Sequence, residues 1–559
     1  MNIGRHGQLI LDAFSLGVIG ALCAQLFTFL LSFSKNIFLI YLAGYQPPAL
    51  PEEGGVLQQF IGPHGLWLIP ISTTLGGLLS GFLVYGLAPE AEGHGTDSAV
   101  KAFHQAGGFI RARIPGLKML ASVITIGSGG AAGREGPTAL ISAGIGSMYA
   151  GIGHRSDEDR RLLMLMGMAA GLSAIFRSPI GTAIFAIEVL YSGVEFEASA
   201  LLYAMLASVV AYVLNGLFVG WEPLFHFPTD LNIPGFVDYA WYIVLGIISG
   251  LVAAILPVIF YRLRDAFRVL PLPSHIKPAI GGLGVGLLAL ALPQILGGGY
   301  GWIQEAMDGR LATSLLLLLL FGKIIAFSLT ISSGGSGGVF APGLYVGAML
   351  GGFLSQLFQQ PPAAFVVVGM VAVFGAAARV PIAALLMVVE MTGGYQLLVP
   401  AALAVILSYL VQNALSNHLK YQSLYEAQMP RRADSPAHKA ELLQIAMNLL
   451  NKSQVSFPTT AGHLDLIKLL TSGIPVELLD SKQLVIGVLN PESPYVGKSI
   501  HSGYLYKDWT EVEIVSILRQ GHMLLPRHDS VLQAGDQLLL VTSPQAWRQL
   551  SKHLSPVSS

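Results

Sequence analysis

The chain has 559 residues, 53% of them hydrophobic and only 11% charged, where soluble globular chains carry about 25% charged residues. That composition belongs in lipid, and a formal net charge of −1 offers nucleic acid nothing to bind. The single cysteine, Cys23, excludes an intramolecular disulfide and a thiolate metal site, and leaves the redox compartment open.

The first apolar run, residues 9–32, is long enough to cross a bilayer. No A-x-A cleavage pattern follows it, so it reads as a retained membrane helix. Further spans are predicted at 201–219, 240–261 and 311–331. The runs at 141–152 and 365–378 are too short to cross about 30 Å of hydrocarbon. Short apolar helices broken by Gly and Pro predict helices that stop inside the membrane, where they are buried in protein or line a cavity. Basic residues near the segment ends (Arg5, residues 262–268, Lys420, Arg431, Arg432) place the C-terminus in the cytoplasm and the protein in a cell inner membrane. Residues 429–438 read as a linker. A helix is expected near 440–450, then strands at 484–489, 512–518 and 537–541, with turns at 490–494 and 534–536.

Two patterns occur twice. S-G-G-x-x-G-x-x-x-P stands at 128–137 and at 333–342, an offset of 205 residues (128 to 333). R-x-P-I, with Glu eight residues after the Ile, runs from Arg177 to Glu188 and from Arg379 to Glu390, an offset of 202 (177 to 379). Such an internal repeat argues for a transporter, with its ligand site where the halves meet. Each Gly-rich loop leads into a proline suited to the first turn of a helix, Pro137 or Pro342. The bare N–H groups of two such helices would make an anion site from backbone amides, without a lysine or arginine. The alternative for one loop alone is close helix packing.

Glu135 sits at the mouth of this proposed site, between Arg134 and Gly136. A carboxylate there can fill an anion position, and once protonated it can swing away. It would serve as both gate and proton carrier. The alternative is an Arg134–Glu135 pair, but adjacent residues in a helical turn do not face each other. Arg177, Glu188, Arg379 and Glu390 read instead as structural, pairing helix ends or snorkelling.

At residues 92–97, 127–137, 338–342 and 423–426 the chain resembles the CLC family of chloride channels and chloride/proton exchangers, over residues 10–428. The resemblance implies inverted repeats of tilted, broken helices and a homodimer in membrane lipid with a pore in each subunit. It implies that Glu135 is the gating glutamate, flanked by Arg134 and Gly136. It further implies that the amides of Val339 and Phe340 and the hydroxyl of Tyr425 hold the central anion. Two residues depart from the family pattern. His94, before Gly95 in GHGTD, replaces a serine whose hydroxyl meets the anion; a histidine can donate an N–H there or be neutral and bonded to backbone. Val189 replaces an inner proton-relay glutamate. The tail, at 493–500, 514–518 and 525–541, resembles the TrkA-type C-terminal domain of potassium-transport regulators, which implies a small-molecule ligand or a dimer contact.

The expected architecture is an all-α polytopic membrane domain (1–428, halves 9–220 and 239–428), a linker and helical segment (429–483), and a small cytosolic α/β domain (484–559). The expected function is transport of chloride or a similar small anion, fluoride and nitrate included, by proton-coupled exchange. A passive voltage- or pH-gated chloride channel is the alternative that Val189 favours. A membrane-bound signalling receptor leaves the repeated loops without a role. A hydrolase would need a nucleophile with a base or a metal constellation; HExxH is absent and no GxSxG stands in a strand–turn–helix context, so no enzyme activity, cofactor or metal is expected.

Overall fold

The computed structural model describes residues 4–51, 55–228, 235, 238–438, 475–477, 482–499, 512–519, 522–524 and 530–555. Contacts divide the chain into two compact units, Met1–Met429 and Pro430–Ser559.

The first half of the membrane unit contains α1 (Arg5–Lys35), α2 (Ile69–Leu87), α3 (Thr96–Gln105), α4 (Arg113–Gly127), α5 (Glu135–Ile152), α6 (Asp157–Phe176), α7 (Pro179–Glu188) and α8 (Ala198–Val219). The second contains α9 (Asp238–Val269), α10 (Lys277–Ala291), α11 (Tyr300–Met307), α12 (Thr313–Ser332), α13 (Phe340–Phe358), α14 (Pro362–Ala377), α15 (Pro381–Thr392) and α16 (Leu398–Ser416). Two short strands, β1 (Tyr45–Gln46) and β2 (Phe60–Ile61), pair antiparallel in the loop before α2. Among the described residues, seven helices are long and apolar enough to cross a membrane, and four more apolar helices are shorter. The protein is a multi-pass membrane protein. The run at 141–152 is the last two thirds of an 18-residue helix, α5, which begins at Glu135, ahead of Pro137.

The repeat is visible in the backbone itself. Gly129 and Gly334, one repeat apart, both have φ +103°, a conformation open to glycine and closed to L side chains. Thr125 and Thr330 each accept a peptide N–H from the opposite half, from Ser336 (3.4 Å) and Ala131 (3.0 Å) respectively. Gly133 and its repeat mate Gly338 pair with each other antiparallel, through N–H···O bonds of 2.8 and 2.6 Å. A residue can pair with its own mate only on the axis relating the halves, so a pseudo-two-fold passes between these two glycines.

The acidic repeat residues follow the same symmetry. Glu188, ending α7, accepts the N–H groups of Ile382 and Ala383 at the start of α15. Glu390, in α15, accepts those of Ile180 and Gly181 at the start of α7, and the Ser178 hydroxyl. Each carboxylate thus caps the mate helix's exposed N–H groups, typically worth about 1 kcal/mol. Arg177 and Arg379 both adopt left-handed φ values (54° and 55°). Arg177 donates to the Glu222 carbonyl, and Arg379 to Gln422, Asn413 and Ser416. These four residues hold helix ends together.

In the C-terminal unit the strands run β3 (Val476–Glu477), β4 (Gln483–Leu489), β7 (Gln537–Thr542), β5 (Val512–Arg519), β6 (His522–Leu524) across one antiparallel sheet, with β8 (Leu554–Ser555) on β4. Its core includes Val485, Leu489, Ile517, Leu538 and Leu540. Arg519 makes a two-pronged 2.8 Å pair with buried Asp536. A short helix, α17 (Pro544–Leu550), follows β7. The helix expected at 440–450 lies outside the described residues, as do parts of the 493–500 and 525–541 motifs.

Candidate functional site

Three broken segments meet at the repeat axis: 93–95 leading into α3, 133–136 into α5, and 336–340 into α13. Besides the Gly133–Gly338 pair, Gly93 bridges Ser336, and the Gly337 N–H donates to the Gly93 carbonyl at 3.2 Å. Gly136 is wedged so closely that a Cβ there would stand 2.1 Å from the His94 carbonyl oxygen and 2.9 Å from Gly338 Cα. Three helix N-termini therefore converge, as the Gly-rich loops predict for α5 and α13.

Val339 is the N-cap and Phe340 the first residue of α13, both buried. Their N–H groups have no intrahelical partner. The Phe340 ring packs against Phe176 and Phe374 (centroids 4.5 and 4.3 Å). Tyr425 is buried, with its ring 6.3 Å from Phe185 and 5.4 Å from His94. Its hydroxyl meets Thr96, the first residue of α3. N–H and O–H donors thus lie together here among packed aromatic rings.

His94 is not bonded to backbone, the alternative left open by its sequence position. Its Nε2 lies 3.1 Å from Asp97 Oδ2. Asp97 also accepts the peptide N–H groups of Glu426 and Ala427, both at 3.2 Å. The pair thereby fixes the segment that carries Tyr425. Gly95 has φ +87° and is the N-cap of α3.

Glu135 is 2% exposed. The hydroxyl of Tyr300, first residue of α11, donates to its Oε1. Its other oxygen has no hydrogen bond of full geometry, and the N–H of Ala341 in the first turn of α13 faces the carboxylate. Arg134 lies over the Tyr300 ring, 5.7 Å from its centroid, and within electrostatic range of the Glu135 carboxylate. Arg134 and Tyr300 line a cavity of about 150 Å³ together with Lys35, residues 297–299 and Trp302. Neither His94 nor Tyr425 borders that cavity. Glu135 thus touches one wall residue of the cavity, Tyr300, and lies within electrostatic range of Tyr425.

Sequence reasoning missed Asp97, Tyr300 and two lysines. Lys118 in α4 and Lys323 in α12 are both 0% exposed. Lys118 Nζ donates to the Ala91 and Gly93 carbonyls (2.9 and 2.6 Å). Lys323 Nζ donates to the Ile295 and Gly297 carbonyls (2.8 and 2.6 Å). Each ammonium gives two of its hydrogens to the turn before a helix, Lys118 before α3 and Lys323 before α11. The signal was available: two lysines inside apolar runs, 205 positions apart, the same offset as the Gly-rich loops. Lys323→Met strands two buried carbonyls, at about 1–3 kcal/mol each. It is expected to lower the melting temperature of the solubilised protein by several degrees; an unchanged melt would show that the clamp contributes nothing.

The sequence profile for the voltage gated chloride channel family matches residues 76–413, and the TrkA-C domain profile matches 484–555. The H(+)/Cl(−) exchange transporter ClcA of Salmonella arizonae is 32% identical over 395 residues, covering 67% of this chain and 82% of that protein. ClcA of Salmonella typhimurium is 32% identical over 411 residues, covering 70% and 85%. Among solved structures, a CLC-type fluoride/proton antiporter superposes with TM-score 0.64 at 24% identity, over 77% of this chain and 99% of that one. A slow cyanobacterial Cl−/H+ antiporter gives 0.63 at 23% identity, over 74% and 95%. At these identities the superpositions speak for the fold alone. Profile, relatives and fold agree: the chain belongs to the CLC family of chloride channels and exchangers, which are anion transporters and not enzymes, and it carries a C-terminal TrkA-C domain.

Proposed function

We propose that the protein exchanges chloride, or a similar small anion, for protons, with Glu135 as both gate and proton carrier. The carrying observation is the position of the Glu135 carboxylate, buried, bonded to Tyr300 in the wall of the Arg134–Tyr300 cavity, and facing the N-terminus of α13. An ionised carboxylate there occupies the place of an anion. Protonation removes its charge, weakens its hold on those N–H groups and lets an anion replace it. Each turnover would couple one carboxylate's proton to anion passage.

In this reading the N–H groups of Val339 and Phe340 and the Tyr425 hydroxyl hold the central anion, with His94 and Gly95 at its edge. Gly136 gives the close approach of segments that shapes the space, and Arg134 draws anions toward the cavity. The Salmonella relatives are H(+)/Cl(−) exchange transporters, which supports exchange. The protein would work as a homodimer in a cell inner membrane, a pore in each subunit. The TrkA-C domain, in the cytoplasm, would bind a small molecule or a second copy of itself. A passive channel is the second reading, favoured by one observation: Val189, fully buried at the end of α7, carries no proton.

Purified protein in liposomes decides between them. Under exchange, a chloride gradient drives protons uphill against their own gradient, and collapsing the gradient stops both fluxes. Chloride running down its gradient with no proton movement would overturn the exchange reading in favour of the channel.

A further inference from the structure

Exchange requires a proton to reach Glu135 from both faces of the protein. The Arg134–Tyr300 cavity gives access from one. On the other side of Glu135 lie Tyr425 and, against its ring, His94 with the Asp97 that holds it. The Asp97 side chain is 24% exposed, while that of His94 is 7% exposed. His94 Nε2 is held by Asp97, whereas its Nδ1 is buried without a hydrogen-bond partner among the described residues. A buried, unpartnered ring nitrogen is costly to keep, and imidazole is the side chain suited to exchanging protons near neutral pH. The Tyr425 hydroxyl lies within electrostatic range of both Asp97 and Glu135.

We infer that His94, oriented by Asp97, is the proton-loading group for the face opposite the cavity, in place of the acid that Val189 cannot supply. The inference rests on the exchange reading above. Asp97 fixes Nε2–H toward itself, leaving Nδ1 as the basic nitrogen. A proton arriving past the part-exposed Asp97 protonates the ring at Nδ1, giving an imidazolium beside the Asp97 carboxylate. That proton then passes to the Glu135 carboxylate, leaving neutral imidazole and a neutral carboxyl. One proton moves and no other bond changes.

The surroundings leave this role to His94. Lys118 of α4 approaches Gly95, but its ammonium is engaged with the Ala91 and Gly93 carbonyls. Arg264 of α9 is paired with Glu426 at 2.5 Å. The Tyr261 hydroxyl of α9 donates to the Leu424 carbonyl. Glu135 of α5 is the acceptor, and Tyr425 stands between.

The test is the proton-to-chloride ratio of His94→Gln in liposomes, beside the unmodified chain. Glutamine keeps an N–H for Asp97 and has no basic nitrogen. The ratio is expected to fall at least tenfold, whatever the chloride rate becomes. His94→Ser gives the same reading if the glutamine variant does not fold. In right-side-out and everted vesicles, the variant's remaining chloride flux is expected to lose its dependence on pH at the face opposite the cavity while keeping it at the other. General damage to the site would not sort by side. A ratio within twofold of the unmodified chain, with both pH dependences retained, would overturn the role of His94 and leave exchange standing. Absence of proton coupling in the unmodified chain would overturn the exchange reading itself, and this inference with it.

Discussion

Glu135→Gln is expected to abolish uphill proton movement, with proton flux falling at least tenfold to the level of empty liposomes, while chloride continues to run down its gradient. The geometry dictates both halves of this result. Glutamine has nearly the volume of glutamate and its carbonyl still accepts from the Tyr300 hydroxyl, so the packing around residue 135 survives. It cannot carry a proton, so coupling is lost. It also cannot present a negative charge to the N–H groups at the start of α13, so it competes weakly with an anion for that place. Paired fluorimetric proton and chloride-electrode traces on the same vesicles read the outcome. Coupled proton movement persisting in Glu135→Gln would remove Glu135 from the proton path.

The second large effect is expected from a single methyl group. Gly136→Ala places a Cβ 2.1 Å from the His94 carbonyl oxygen and 2.9 Å from Gly338 Cα. Both neighbours are backbone, from two other segments that are themselves bonded across the repeat axis, so neither can turn aside as a side chain would. The segments must separate, and the N–H groups of Val339 and Phe340 move with them. Anion flux is expected to drop at least tenfold. Gly116→Ala is the control: it lies in α4 with nothing within 4 Å of its added methyl, and a helical alanine is favoured over glycine by about 1 kcal/mol. It should transport as the unmodified chain does. Equal flux from Gly136→Ala would show that the close approach of the three segments does not shape the anion site.

The sequence held the parts of this site that are local or repeated. Each Gly-rich loop and its proline stand within ten residues of one another, and Glu135 falls inside the first, so loop, helix start and ionisable group are read in one window. The repeat then doubled the evidence. Strands β4, β5 and β7 were legible from aliphatic runs between turns. What escaped is long-range. Tyr300 reaches Glu135 across 165 residues of sequence, and no pattern around Tyr300 marks it as a donor to a gate. Asp97 reads as an ordinary first-turn acid of α3, yet it also holds a peptide segment 330 residues away. The lysines hide for a different reason. A cation in an apolar run suggests a ligand site, whereas here its hydrogens satisfy turn carbonyls that the broken helices would otherwise leave bare.

The pairing of Gly133 with Gly338, and the exchange of caps between Glu188 and Glu390, have the form of an isologous interface, in which residue i meets j and j meets i. Two separate copies of one half-length chain, related by a two-fold rotation, would make the same contacts. Neither copy could close its own helix ends, because each carboxylate caps its partner's helix and not its own. A half-length ancestor with these contacts would therefore have been an obligate dimer. Fusing the two into one chain placed both caps in every molecule, so that neither half had to find a second chain to close its helix ends.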